Sequence, residues 1–300
     1  MRQEETRVND PEKTRKAVSD SYAAAVARPS DGCCGGAQKG GCCGAEQKGA
    51  SARMGGYAEE QLAALPADAV VNSFGCGNPV AFSEIGEGET VLDLGCGAGI
   101  DLLLAAKKVG PSGKVIGVDM TDEMLAKARQ NLRTAGAGNT ELRAGIIERL
   151  PVATESVDWV ISNCVINLSP EKQRVFSEIA RVLKPGGRML VSDIVAEELP
   201  EEVRTDPGLY AACIAGAVSE REYLLGLQTA GMDGVEVRER LVYDAAQLEE
   251  LFGAEGQGGC CGSSADSCGC GDGRAAKIGV LAKRLEGKIW SARVFARKPL

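Results

Sequence analysis

The stretch that most constrains this chain runs Thr90-Val91-Leu92-Asp93-Leu94-Gly95-Cys96-Gly97-Ala98-Gly99. Its apolar start reads as a short buried strand. The three glycines that follow let the backbone turn sharply and approach a ligand closely. Ile100 to Val109 then carries helical spacing. A strand feeding a helix through such a turn opens an α/β layer, although plain tight turns use the same residues without any ligand.

The unit recurs. Strands are expected at Lys114 to Asp119, Thr140 to Ala144, Val157 to Ser162, Arg188 to Val195, Gly234 to Val242 and Ile289 to Arg297. Helices are expected at Pro11 to Ala27, Asp122 to Ala135, Pro170 to Leu183 and Ser219 to Ala230, the third ended by Lys184-Pro185-Gly186-Gly187. Strands alternating with helices predict an α/β, largely parallel, seven-stranded Rossmann-like sheet covered on both faces. Ligands of such sheets bind beyond the carboxyl ends of the strands, at the topological switch point.

The expected organisation has four parts. Residues 1–30 form a charged helical segment, and 31–56 a flexible Cys/Gly-rich segment. Residues 57–242 form the ligand-binding domain, with an insertion at about 197–218. Residues 243–300 form a C-terminal extension that holds a second Cys/Gly-rich loop, 253–273, and the closing strand 289–297.

Bulk properties exclude several function classes. The net charge is −8 with no basic cluster, which gives phosphate backbones nothing to bind, so no nucleic-acid partner is expected. No apolar run approaches the roughly 18–20 residues that span a bilayer, and Met1 to Lys16 lacks the apolar stretch of a secretion signal. A cytoplasmic monomer without a membrane partner is expected. There, twelve cysteines, six of them in the vicinal pairs 33/34, 42/43 and 260/261, read as metal or redox chemistry before a disulfide framework. Histidine is absent, which removes Ser-His and Cys-His nucleophile systems and His-containing zinc sites.

Around the glycine turn the spacing suggests a nucleoside. Asp119 ends the second strand, where a carboxylate can accept hydrogen bonds from both ribose hydroxyls. Glu148 follows the third strand, within reach of an adenine amino group. The turn is Asp-x-Gly-x-Gly-x-Gly rather than Gly-x-Gly-x-x-Gly, which disfavours a pyrophosphate. With Leu183-Lys184-Pro185-Gly186-Gly187 before the fifth strand, the set resembles the class I methyltransferase superfamily from about Gly75 to Val242. On that resemblance Asp93, Gly95 and Gly97 cradle the methionine part of S-adenosylmethionine and Asp119 holds the ribose. Met120 and Ile147 would pack the adenine with Glu148 at its edge, and Asn163 would face the methionine end.

The acceptor is read from cysteines. Cys164 follows Asn163 at the mouth of the fourth strand, where the transferred methyl should emerge. Cys76 lies ahead of the first strand in Phe74-Gly75-Cys76-Gly77-Asn78-Pro79, and Cys213 lies in the insertion after the fifth. Three converging soft thiolates suit pyramidal As(III), whereas each cysteine alone reads as a small buried apolar residue. Trivalent arsenic also carries its own lone pair and needs no histidine base.

Ser162-Asn163-Cys164-Val165-Ile166-Asn167-Leu168, Gly117-Val118-Asp119-Met120-Thr121 and Leu199-Pro200-Glu201-Glu202-Val203-Arg204 resemble the arsenite methyltransferase family. The resemblance implies arsenic bound by Cys76, Cys164 and Cys213, and by a further N-terminal cysteine for which Cys33, Cys34, Cys42 and Cys43 are candidates. It implies methylated arsenicals as products, with thioredoxin or a small thiol as reductant. Two rivals remain: methylation of a small organic acceptor, and a thiol-rich metalloid or metal buffer that merely keeps the fold.

Cys96 reads as structural. Cys260, Cys261, Cys268 and Cys270 fit metalloid capture, redox-active tail thiols or zinc equally well. Asp193 needs no more than a strand end.

Overall fold

The computed structural model describes residues 10–27, 56–73, 75–254 and 272–300. Seven strands form one sheet: β1 (Thr90–Leu94), β2 (Lys114–Asp119), β3 (Thr140–Ala144), β4 (Val157–Asn163), β5 (Leu183–Ala196), β6 (Asp233–Val242) and β7 (Ile289–Arg297). Their order is β3-β2-β1-β4-β5-β7-β6. The strands β3, β2, β1, β4 and β5 pair in parallel, and β7 runs antiparallel between β5 and β6.

Alternation along the strands divides the core into two layers. Val91, Trp159, Ile161 and Leu190 face one side, where Leu102 and Leu103 of α5 (Ile100–Val109) and Leu125 of α6 (Asp122–Thr134) cover them. Leu92, Val160, Met189 and Val191 face the other, beneath Val175 and Ile179 of α7 (Lys172–Val182) and Tyr223 and Leu227 of α10 (Glu220–Thr229). Central strands buried on both faces read as nearly continuous apolar runs, which is why β1 and β4 stood out.

A third cluster lies around the predicted acceptor cysteines. It joins Val18 of α1 (Pro11–Ala27) with Val203 of α8 (Glu201–Arg204) and Leu209 of α9 (Pro207–Ala211). Leu248 of α11 (Ala245–Ala254), Ala282 of α12 (Asp272–Leu285) and all three predicted acceptor cysteines belong to it as well.

Some boundaries differ from expectation. The third helix starts at Lys172 rather than Pro170 and ends at Val182, because Leu183 already pairs with Val157. Lys184-Pro185-Gly186-Gly187 therefore sits in an irregular start of β5, across the register shift between Val157 and Trp159. Short helices α2 (Glu59–Ala63), α3 (Ala67–Val71) and α4 (Pro79–Phe82) precede β1. The readings on Cys33, Cys34, Cys42, Cys43, Cys260, Cys261, Cys268 and Cys270 lie outside the described residues. Among the described residues, no helix is long and apolar enough to cross a membrane.

Candidate active site

The order of strand addition switches sides between the parallel neighbours β1 and β4, and a cleft of about 930 Å³, counting its open mouth, lies at their carboxyl ends. Its floor is the glycine turn. Gly95 has φ +64°, and a Cβ there would run into the side chain of Val165. The turn is tied to β2: Gly97 N donates to Asp119 Oδ2 at 2.9 Å, and Thr121 N donates to Oδ1 at 2.9 Å.

Three aspartates share this cleft. Burial, then the charges of Asp101 and Asp119, holds Asp93 well above the usual carboxylate range. Burial pushes Asp101, in the first turn of α5, up to about 6, against hydrogen bonds from Tyr57 and Asn163 that lower it. Burial raises Asp119 too, opposed by its backbone donors. Buried like charges repel, and a bound cation relieves them.

Asn163 ends β4 and links this cluster to the cysteines. Its Nδ2 donates to Tyr57 Oη at 2.9 Å, to Asp101 Oδ2 at 3.2 Å and to Gly77 O at 2.6 Å. Its Oδ1 accepts from Gly77 N at 3.0 Å. Tyr57 Oη donates in turn to Asp101 Oδ1 at 2.8 Å. The segment around Cys76 is clasped so closely that a Cβ at Gly75 would overlap the Asn163 amide, and one at Gly77 would overlap the Ser192 side chain.

Helix α1 forms the roof, with Arg15, Val18 and Tyr22 lining the cleft. Glu148, expected at an adenine edge, still faces the cleft, but its Oε1 accepts from Arg15 Nη1 at 3.2 Å and from Ser169 Oγ at 2.7 Å. Arg15 also reaches Glu171 at 2.9 Å. Met120 and Ile147 line the same wall. Cys96 is buried in the turn beside Asp119 and Asp93, and burial, then their charges, pushes its thiol well up and keeps it protonated.

The sheet brings Cys76, Cys164 and Cys213 together. Cys76 and Cys164, 88 residues apart, form a disulfide with Cα atoms 5.8 Å apart. Cys213 Sγ donates to the backbone oxygen of Cys164 at 2.6 Å. All three are buried in the third cluster, and Cys164 also lines the cleft. Three open thiolates were expected. Their convergence makes two of them close enough to bond, and among the described residues no group of three metal-ligating side chains stands open.

Residues 85–238 match the family model described as a methyltransferase domain. The chain is 48% identical over 235 residues to an arsenite methyltransferase of Halobacterium salinarum, an alignment covering 76% of this chain and 59% of the relative. The human arsenite methyltransferase is 37% identical over 185 residues, 58% of this chain and 49% of that protein. The solved structure of CrArsM, an arsenic (III) S-adenosylmethionine methyltransferase from Chlamydomonas reinhardtii, superposes with a TM-score of 0.60 at 32% identity. The match covers 80% of this chain and 72% of that one.

The chain belongs to the arsenite methyltransferase family. It spans about half to three-fifths of the length of the curated family members just named.

Sequence reasoning missed Tyr57, Asp101 and Arg15 at this family site. Asp101 had an ordinary alternative role, since an acid in a helix's first turn favours the helix dipole. Tyr57 and Arg15 reach the cleft only through tertiary contacts 44 and 133 residues away in sequence. Asp193, read as a strand end, proves fully buried, and burial pushes it up to about 7.

Proposed function

We propose that this protein transfers methyl groups from S-adenosylmethionine to trivalent arsenic held by the thiolates of Cys76, Cys164 and Cys213, yielding methylated arsenicals that serve arsenic detoxification. The observation that carries this reading is the meeting of these cysteines, from three distant parts of the chain, in one buried cluster whose Cys164 lines a carboxylate-lined cleft.

The cleft suits the donor's charge. In this reading Asp93 and Asp101 would supply anionic partners for an α-ammonium group, Asp119 would hold the ribose, and Met120 and Ile147 would offer apolar contact to a base, all five lining the cleft. When bound, S-adenosylmethionine supplies an electrophilic methyl on a sulfonium. The protein's task is then chiefly to place an acceptor lone pair in line with it.

The disulfide defines the resting redox state in this scheme. Two external thiols, from thioredoxin or a small molecule, reduce Cys76–Cys164 to two thiols and leave as one disulfide. Arsenite then exchanges its oxygen ligands for sulfur. Methylation takes arsenic from the trivalent to the pentavalent state. Closure of the Cys76–Cys164 disulfide breaks the two arsenic–sulfur bonds to these residues and returns two electrons to arsenic. External thiols fill the freed valence and displace Cys213, which regains its proton, so a trivalent methylated product leaves.

The test is S-adenosylhomocysteine formation by the reduced protein, with and without arsenite. Formation that requires arsenite and added thiol supports the proposal. Formation independent of arsenite but dependent on a small phenolic or quinol acceptor contradicts it.

A further inference from the structure

Beside the two cysteine turns lie a half-buried lysine and a fully buried aspartate that methyl transfer does not use. Lys172 opens α7, and its Nζ donates to Asn167 O at 3.2 Å and Ser169 O at 3.0 Å. Asp193 in β5 accepts from Ile194 N at 3.0 Å, from Tyr223 Oη at 3.4 Å and from the backbone of Asn167. The Asn167 amide itself donates to Ile194 O at 2.5 Å. One residue, three positions beyond Cys164, is thus held by its carbonyl, its N–H and its side chain.

The same residue meets the other turn. A Cβ at Gly216, three residues beyond Cys213, would overlap the Asn167 carbonyl. Tyr210 Oη donates to Leu168 O at 3.3 Å, and Cys213 Sγ closes onto Cys164 O. Asn167 is therefore the hinge pin between the two cysteine turns.

Both cysteines need such support. Cys164 has φ +57° and Cys213 φ +64°, in the left-handed region that costs a side-chain-bearing residue about 1–2 kcal/mol. Such conformations persist where the surroundings over-determine them. Burial pushes Lys172 down to about 8, against the favourable charges of Asp193, Cys213 and Glu148, with Arg204 opposing. Burying the Asp193 carboxylate opposes folding.

We propose that Lys172 and Asp193 are positioning residues that hold the Cys164 and Cys213 turns in register, so that one arsenic atom bridges both sulfurs. This rests on the arsenic-binding reading above.

The test uses Lys172→Met, Lys172→Arg and Asp193→Asn. Phenylarsine oxide, which bridges two thiolates, is titrated against reduced full-length chain in which Cys33, Cys34, Cys42, Cys43, Cys260, Cys261, Cys268 and Cys270 are serine. S-adenosylhomocysteine binding and the arsenite-dependent kcat and KM are measured in chain with those cysteines intact. Lys172→Met should keep S-adenosylhomocysteine affinity within about threefold while phenylarsine oxide affinity falls about tenfold or more. In that variant kcat for methylation should fall with it. Lys172→Arg, which also donates to two carbonyls, should recover most of the loss, and Asp193→Asn should lie between.

Unchanged arsenical affinity in a folded Lys172→Met, or equal loss of both ligands, overturns the proposal. If Lys172→Met does not fold, Asp193→Asn decides by the same two affinities. A parent chain that chelates phenylarsine oxide but makes no methylated arsenic would sink the functional reading while leaving this one to be decided by the variants.

Discussion

The sulfur of Cys213 donates to the backbone oxygen of Cys164 at 2.6 Å, across 49 residues of chain. That contact sets Cys213 directly behind the Cys76–Cys164 disulfide, so all three sulfur-bearing residues occupy one buried corner.

Serine substitution separates chemistry from packing here. A hydroxyl in place of the Cys213 thiol keeps a donor for the Cys164 carbonyl, so Cys213→Ser should alter unfolding free energy by only about 1 kcal/mol. Arsenite-dependent S-adenosylhomocysteine formation should fall by about two orders of magnitude, a loss of about 3 kcal/mol in transition-state stabilisation. Denaturation and initial-rate measurements on the same preparation check both.

Gly77→Ala should disturb the Cys76 segment without touching a sulfur. Its Cβ would overlap the buried Ser192 side chain, which belongs to β5 and has little room to yield. The expected outcome is a destabilisation of about 1–3 kcal/mol. Thiol titration should also show a lower fraction of Cys76–Cys164 disulfide after mild oxidation.

Tyr57→Phe removes the hydroxyl that donates to Asp101 and accepts from Asn163. A buried carboxylate that loses a donor costs about 1–3 kcal/mol, so S-adenosylmethionine affinity should fall about tenfold. Calorimetric titration reads the change directly, and the arsenite KM should move less than the cofactor KM.

The buried carboxylates predict a pH dependence of definite sign. Burial holds Asp101 up to about 6 and Asp93 above the usual range, so the ligand-free folded state keeps protons that the unfolded chain has released. The Asp101 contribution is full below the unfolded value of about 3.9 and is lost as pH rises through about 6, and Asp93 adds a loss of the same sign. For Asp101 the loss is about 3 kcal/mol. The unfolding midpoint without ligand should therefore fall between about pH 4 and pH 6, while affinity for cationic S-adenosylmethionine rises over the same window. Parallel rises in both would contradict this.

The sheet was legible because its central strands are short apolar runs separated by helical spacing. The glycine turn and Asp119 were legible because both belong to one local unit. The cysteine corner was only partly so: residue type pointed to Cys164 at the mouth of the fourth strand, Cys76 ahead of the first and Cys213 in the insertion after the fifth, but nothing local says that two of them pair. Tyr57, Asp101, Lys172 and Asp193 escaped because each is ordinary in its own segment. Their roles come from burial beside groups brought in by distant parts of the chain. Glu148 shows the reverse, since its position was foreseen while its partner, Arg15 on α1, was not.

The most direct measurement is of arsenic itself. Reduced protein is incubated with arsenite, S-adenosylmethionine and thiol, and arsenic species are separated by chromatography with elemental detection. The account predicts methylated arsenic from the parent chain, and formation about a hundredfold slower or less from Cys164→Ser or Cys213→Ser variants that still bind S-adenosylhomocysteine. Methylated arsenic at undiminished rate from either variant, or none from a parent that binds S-adenosylmethionine, would contradict it.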